Sequence, residues 1–205
     1  VAVSGNGTAA SPVKTIADGI ARVAEGGTIY IADGTYAETI NIDGFAGLTI
    51  IGEDKATTII QPTTTLAWDV GGYGASRKTV LRVINSTDVN ISGLTFDLSL
   101  VEANFLWTGV YWDSTGTVTD NVFENNQLPD ASGGYYEFGL ALRAPGYTDA
   151  ARAGITVSNN TFQDRGRVFL HIHDFLDATI TGNTFLKTED DFGYAMELGS
   201  ESIGT

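Results

Sequence analysis

The sequence lacks cysteine altogether and contains only two histidines and one methionine. The absence of cysteine excludes disulfide bonds and cysteine-ligated zinc sites, although it does not identify the compartment. Basic residues are also scarce, since 25 acidic residues outweigh 11 lysines and arginines and give a net charge of −14. A nucleic-acid-binding surface requires a basic patch, so this composition argues against nucleic acid as a partner. It suits a secreted or cell-surface protein, and no apolar run is long enough to predict a membrane span.

Short strand-like segments recur along the chain, and each contains a turn followed by a phenylalanine. They are VNISGLTFD (89–97), GTVTDNVFEN (116–125), ITVSNNTFQD (155–164) and ATITGNTFLK (178–187). Their phenylalanines are separated by 27, 39 and 23 residues. A period near 23 residues that is lengthened by loops is typical of a solenoid.

A third strand is needed in each repeat to enclose a core, and the sequence contains one. These strands are TGVYWD (108–113), FGLALRA (138–144), VFLHIHD (168–174) and YAMELGS (194–200). Three short parallel strands per turn predict an all-β right-handed parallel β-helix, with residues 1–205 as a single domain. The turn asparagines Asn121, Asn160 and Asn183 are expected to form a ladder, because asparagine tolerates left-handed backbone and bonds its neighbours. A β-sandwich, which also contains many short strands, is the alternative fold.

The N-terminal region carries the clearest helical pattern in the chain. Apolar residues recur at helical spacing from Val13 to Val23. Ser11–Pro12 is typical of a helix start and Gly26–Gly27 of a stop, so the pattern predicts a capping helix over about residues 12–25. Such a helix covers the open end of a stacked core. The C-terminal sequence offers no matching cap, which predicts a domain that is truncated there or that continues by stacking on something else.

The segment TIADGIARVAEGGTIYIADGTYAETINI, followed by LTIIGEDKATTII, resembles the opening of pectin-lyase-like β-helix proteins, which include pectin methylesterases. The resemblance covers about the first 60 residues, and the NNTF repeats resemble the superfamily more generally. It implies the β-helical fold and a carbohydrate-related role. It implies no single activity, because this superfamily hosts lyases, hydrolases, esterases, epimerases, adhesins and phage tailspikes. The catalytic motifs of pectate lyases, polygalacturonases and alginate epimerases are missing from the sequence.

Side-chain alternation predicts which residues of the third strand face outward. In VFLHIHD the apolar Leu170 and Ile172 must face the core, so His171 and His173 face the solvent. The same alternation in neighbouring coils predicts two outward rows. The first row contains Tyr111, Ala141, His171 and Glu197, and the second contains Asp113, Arg143, His173 and Gly199.

These rows suggest a polysaccharide-acting enzyme. Histidine exchanges protons near neutral pH, so His171 or His173 is the expected acid or base, with Glu197 as its carboxylate partner and Arg143 as the neutraliser of a substrate carboxylate. This combination suits a lyase or epimerase that acts on a uronate. A glycoside hydrolase would instead pair Asp113 or Asp174 with Glu197. The expected substrate-binding residues are Tyr111, Asp113, Arg82, Trp107 and Asp174, with Trp107 among the aromatic residues of the insertions.

Several alternatives remain open. His171 and His173 could bind a metal ion with Glu197 or Asp174. The acidic turn at 189–191 could bind calcium, although a turn that is simply solvated is the simpler interpretation. No cofactor is assigned. A non-catalytic adhesin, tailspike-like stalk or carbohydrate-binding solenoid is the second functional hypothesis, and it predicts tolerance of His171→Ala. A third is assembly through the open C-terminal end, as an oligomer or as a longer chain.

Overall fold

The computed structural model describes residues 5–63, 68–69, 78–101, 106–125, 138–143, 154–164, 168–173, 177–186 and 194–199. These residues form one short helix and strands that assemble into three sheets. Sheet I contains β1 (Thr28–Ile31), β4 (Thr49–Gly52), β8 (Val89–Ser92), β11 (Gly116–Thr119), β14 (Ile155–Ser158) and β17 (Ala178–Thr181). Sheet II contains β2 (Gly34–Tyr36), β5 (Thr58–Ile60), β9 (Thr95–Asp97), β12 (Val122–Glu124), β15 (Thr161–Gln163) and β18 (Thr184–Leu186). Sheet III contains β3 (Ile40–Asp43), β7 (Lys78–Ile84), β10 (Leu106–Trp112), β13 (Phe138–Arg143), β16 (Val168–His173) and β19 (Tyr194–Gly199), and β6 (Trp68–Asp69) pairs antiparallel with β7.

The chain visits the three sheets in turn, so each coil contributes one strand to each sheet. Apart from the short β6, all neighbouring strands are parallel and stack in sequence order. This arrangement is a right-handed β-helix, and the predicted fold class is confirmed. A β-sandwich, with its antiparallel pairing, is excluded.

Inward side chains of one coil stack on those of the next and form the core. Phe96, Phe123, Phe162 and Phe185 make a continuous stack, with ring centroids 5.1, 4.9 and 5.3 Å apart in chain order. The first three rings are fully buried, and the fourth is partly buried. The recurring phenylalanine of the sequence repeat is therefore the core position of sheet II.

The turns between sheets I and II are held together by the predicted asparagine ladder, which is confirmed. Asn160 Oδ1 accepts the backbone N–H of Asn121 at 3.0 Å, and Asn183 Oδ1 accepts the backbone N–H of Asn160 at 3.0 Å. The amide groups also bond from coil to coil, at 3.2 Å for Asn121 to Asn160 and 3.0 Å for Asn160 to Asn183. Each rung thereby satisfies buried polar groups of the coil beside it.

The capping helix is shorter than the sequence predicts. Helix α1 spans Ile16–Ile20, with Thr15 as its N-cap, and Glu38 accepts the first two helical N–H groups at 3.1 and 3.2 Å. The predicted start at Ser11–Pro12 is wrong, because Ser11 closes a turn by donating its N–H to Thr8 O. The predicted continuation to about residue 25 is also wrong, since the chain passes into turns after Ala21. The helix contacts β1 and β3 and buries Ile16, as a cap requires. Within the described ranges, no helix is long and apolar enough to cross a membrane.

The last described coil exposes apolar side chains that the previous coil buries. Leu198 of β19 is 72% exposed, whereas its register partner Ile172 is 6% exposed. Met196 is 37% exposed, whereas its register partner Leu170 is fully buried.

Candidate functional site

The outer face of sheet III brings chemically different side chains into register. Pairing between successive strands aligns six positions, which we call the first row: Asn41, Arg82, Val110, Ala141, His171 and Glu197. The second row, two residues further along each strand, contains Asp43, Ile84, Trp112, Arg143, His173 and Gly199. The predicted alignments of Ala141 with His171 and Glu197, and of Arg143 with His173 and Gly199, are confirmed.

Tyr111 does not belong to the first row, and its predicted outward orientation is wrong. It aligns with the core residues Val83 and Leu142 and is fully buried, with its hydroxyl donating to Val89 O at 3.2 Å. Burial raises the pKa of its phenol. Tyrosine is favourable inside because this carbonyl satisfies the hydroxyl. Val110 takes its place in the first row.

Asp113 is also displaced from its predicted row. It follows the last residue of β10 and adopts a left-handed backbone with φ of 48°. Trp112 is the residue that aligns with Arg143. Asp113 is therefore a turn residue at the edge of the face, where aspartate tolerates this conformation better than most side chains.

His171 and Glu197 are direct register partners on adjacent strands. Parallel strands lie about 4.8 Å apart, which brings these two side chains within contact range. His171 is only 6% exposed, and both its Nδ1 atom and the Oε2 atom of Glu197 are shielded from solvent. A histidine and a carboxylate in a shielded position are suited to proton transfer, because a carboxylate fixes the orientation of an imidazole and stabilises its protonated form.

Arg82 belongs to the same row, where it is the register partner of Asn41. Three strand spacings, or about 14 Å, separate it from His171, with Val110 and Ala141 at the positions between them. Its Nη1 donates to Asn41 Oδ1 at 3.0 Å, and its Nε is shielded from solvent. Sequence analysis missed Asn41 as a site residue. A usable signal was present, because Asn41 lies two residues before Asp43 on a strand in which apolar and polar residues alternate.

For the other predicted site residues, the structure describes the position along a strand. Arg143 and His173 lie on β13 and β16 as register partners, two residues beyond Ala141 and His171 of the first row. Trp107 lies within strand β10 and not in an insertion, so that expectation is wrong. Asp174 and the acidic turn at 189–191 fall outside the described residues. Among the side chains that the structure describes, no group of three or more His, Asp or Glu is placed to hold a metal ion.

A separate polar cluster lies on sheet II and around the loop that follows it. Asp97 accepts hydrogen bonds from Gln61 Nε2 at 2.6 Å, Asn125 Nδ2 at 2.8 Å and the Ser99 backbone N–H at 2.9 Å. Partial burial acts to raise the pKa of the Asp97 carboxyl, but these bonds and the Ser99 hydroxyl outweigh it and lower that pKa below its ordinary value. The cluster ties successive coils together, so we assign it to stability.

The chain is similar in structure to pectin methylesterases. A mutant pectin methylesterase in complex with a hexasaccharide has a TM-score of 0.45 and 15% identity, over 96% of this chain and 71% of that chain. The enzyme from Yersinia enterocolitica has a TM-score of 0.37 and 13% identity, over 92% and 66%. The enzyme from Aspergillus niger has a TM-score of 0.34 and 14% identity, over 96% and 89%. No family model matches the sequence, and no curated protein matches it.

Proposed function

We propose that this chain is a secreted or cell-surface enzyme that acts on a polysaccharide along the outer face of sheet III. The observation that carries the proposal is the register pairing of His171 with Glu197 in a shielded position. The positions between this pair and Arg82 are Val110, which is fully buried, and Ala141. In the proposed complex an extended sugar chain spans these positions, over about 14 Å, and contacts the pair and Arg82 together.

Proton transfer is the chemistry that these residues support best. In the proposed reaction His171 removes the proton from the sugar carbon beside a carboxylate, and Glu197 orients the imidazole and stabilises its charged form. Returning a proton to the opposite face of that carbon gives epimerisation. Breaking the adjacent C–O bond, with a proton passing to the leaving oxygen, gives elimination and leaves a carbon–carbon double bond. Arg143, the register partner of His173, is the residue that we assign to neutralise the substrate carboxylate.

Hydrolysis by a pair formed from Asp113 and Glu197 is disfavoured by distance. Asp113 follows β10, and Glu197 lies on β19, which is three strands away in sheet III. Three strand spacings amount to about 14 Å, whereas the two carboxylates of a glycoside hydrolase lie about 5 to 9.5 Å apart. A histidine-based reaction therefore fits the described residues better than a two-carboxylate reaction.

A product screen with matched variants tests the proposal. The wild-type chain and the His171→Gln, Glu197→Gln and Thr184→Ala variants are incubated with pectic, alginate, glycosaminoglycan and fructan polymers. Unsaturated-uronate absorbance, reducing ends, released methanol and, by NMR, uronate epimerisation are recorded. Thr184 is exposed on sheet II, away from both proposed surfaces, and serves as the control substitution. We expect activity in the wild type and the control, and its loss in folded His171→Gln and Glu197→Gln proteins.

Two outcomes would contradict the proposal. Activity that survives His171→Gln would remove histidine from the chemistry. Absence of every product would favour the non-catalytic solenoid, in which the outer face of sheet III binds polysaccharide without transforming it.

A further inference from the structure

We propose that the outer face of sheet I is a second surface, separate from the site on sheet III, which docks onto a neutral polysaccharide. Alternation along the six strands places two residues of each strand outward. The face consists of Thr28, Tyr30, Thr49, Ile51, Asn90, Ser92, Thr117, Thr119, Thr156, Ser158, Thr179 and Thr181. Nine of the twelve are threonine or serine, and none is charged.

The hydroxyl groups form an ordered two-dimensional array. Neighbouring strands are about 4.8 Å apart, and outward residues of one strand are about 6.6 Å apart. Thr117 Oγ1 donates to Asn90 Oδ1 at 2.8 Å, and Ser158 Oγ donates to Thr119 Oγ1 at 3.0 Å. These cross-strand bonds hold the side chains in place, and each hydroxyl oxygen can still accept another bond. The array thus offers a sugar chain a preorganised set of donors and acceptors.

Threonine is common in strands for its packing alone, so the array by itself would not indicate a ligand. The second observation is Tyr30, which is 77% exposed at the N-terminal end of the face. Tyr30 borders a cleft of about 450 Å³ between the cap segment and β1, which is also lined by Pro12, Val13 and Tyr36. An exposed aromatic ring beside a partly apolar cleft is suited to stacking against a sugar ring.

The charge of the face identifies the class of polymer. A chain of net charge −14 repels polyanions, and none of the twelve outward residues is a cation that would offset the repulsion. The nearby Lys14 and Arg22 line the cleft beside Tyr30 and lie outside the array. A neutral polymer rich in hydroxyl groups meets no such barrier and can pair with the array. The polymer would run along the solenoid axis, across the strands, with one ring over Tyr30.

Affinity electrophoresis tests the surface without depending on catalysis. Native gels contain hydroxyethylcellulose, xylan or galactomannan, with polygalacturonate as the acidic comparison, and microcrystalline cellulose and chitin are used in pull-down assays. We expect binding to at least one neutral polymer. Tyr30→Ala should weaken it about tenfold, and Thr156→Glu, which puts a charge in the array, should weaken it at least as much.

Matched controls make the result specific. Tyr194→Ala removes another exposed tyrosine at the opposite end of the solenoid, and Thr161→Glu makes the same change in the same coil on sheet II. Both should bind as the wild type does, and so should His171→Gln, which separates this surface from the catalytic proposal. Lack of binding to every neutral polymer, or equal losses in the controls, would overturn the inference.

Discussion

The asparagine ladder should be a main source of stability, and Asn160 is its best test. Its Oδ1 accepts both the backbone N–H and the Nδ2 group of Asn121, and its Nδ2 donates to Val118 O at 2.9 Å and to Asn183 Oδ1 at 3.0 Å. Asn160→Ala removes all four bonds at a site that is 1% exposed, where water cannot replace them. An orphaned buried N–H costs about 1–3 kcal/mol, and each lost bond adds about 1 kcal/mol or less. We therefore expect a loss of about 2–4 kcal/mol, a large part of the stability of an ordinary domain.

Asn183→Ala is the matched comparison, because this residue accepts the same two groups of Asn160 and donates to Val157 O at the half-buried end of the ladder. Partial access to water should limit its cost to about 1–2 kcal/mol. Equilibrium unfolding in guanidinium chloride measures both, with circular dichroism and the fluorescence of the three tryptophans followed together as a check on two-state behaviour. Equal costs for the two variants, or a loss below about 1 kcal/mol for Asn160→Ala, would refute the view that buried bonding in the ladder stabilises the fold.

Three further outcomes follow from other described contacts. Phe162→Ala should cost about 3–5 kcal/mol in the same unfolding assay, because this ring is buried between two others, whereas Phe185→Ala at the end of the stack should cost less. Asp97→Asn should cost less than about 1 kcal/mol at neutral pH. Since the folded-state pKa of Asp97 is lowered, its carboxylate adds stability above about pH 4 and loses it as the pH falls, so melting temperatures of the two proteins should converge in acid. Tyr111→Phe should lose about 1 kcal/mol from its bond to Val89 O and leave catalysis unchanged; lost activity in a folded protein would contradict its inward placement.

The solenoid could be predicted because its local signals repeat. The stacked phenylalanine recurs in four successive coils, and in the last three an asparagine lies two residues before it. Identical side chains stack well on one another in a parallel helix. The alignment of His171 with Glu197 followed from the same repeat, because both strands have the same apolar alternation. Repetition therefore predicts the core, the ladder and the strand register together.

Prediction failed where local pattern and packing disagree. In GVYWD, valine and tryptophan are the more apolar pair, so alternation alone turned Tyr111 outward. The structure turns it inward because the preceding Gly109 occupies the core position beside Leu81 and Leu140, and a carbonyl in the core accepts the tyrosine hydroxyl. The helix boundaries failed for a similar reason. The first two helical N–H groups are capped by Glu38, which lies 22 residues from Ile16 and leaves no local mark in the sequence.

The outer faces of sheets I and III differ in how strictly they repeat, and this difference supports placing the chemistry on sheet III rather than on sheet I. On sheet I the outward positions of the middle and last coils are Thr or Ser almost throughout, since like residues on adjacent strands bond to one another at little cost. The first row of sheet III changes at every coil, from Asn and Arg through Val and Ala to His and Glu. Stacking alone favours repeated residues, and a partly shielded histidine beside a glutamate offers the fold no packing advantage over threonine or valine. The departure from repetition in the first row of sheet III is therefore better explained by a ligand or a reaction than by stability.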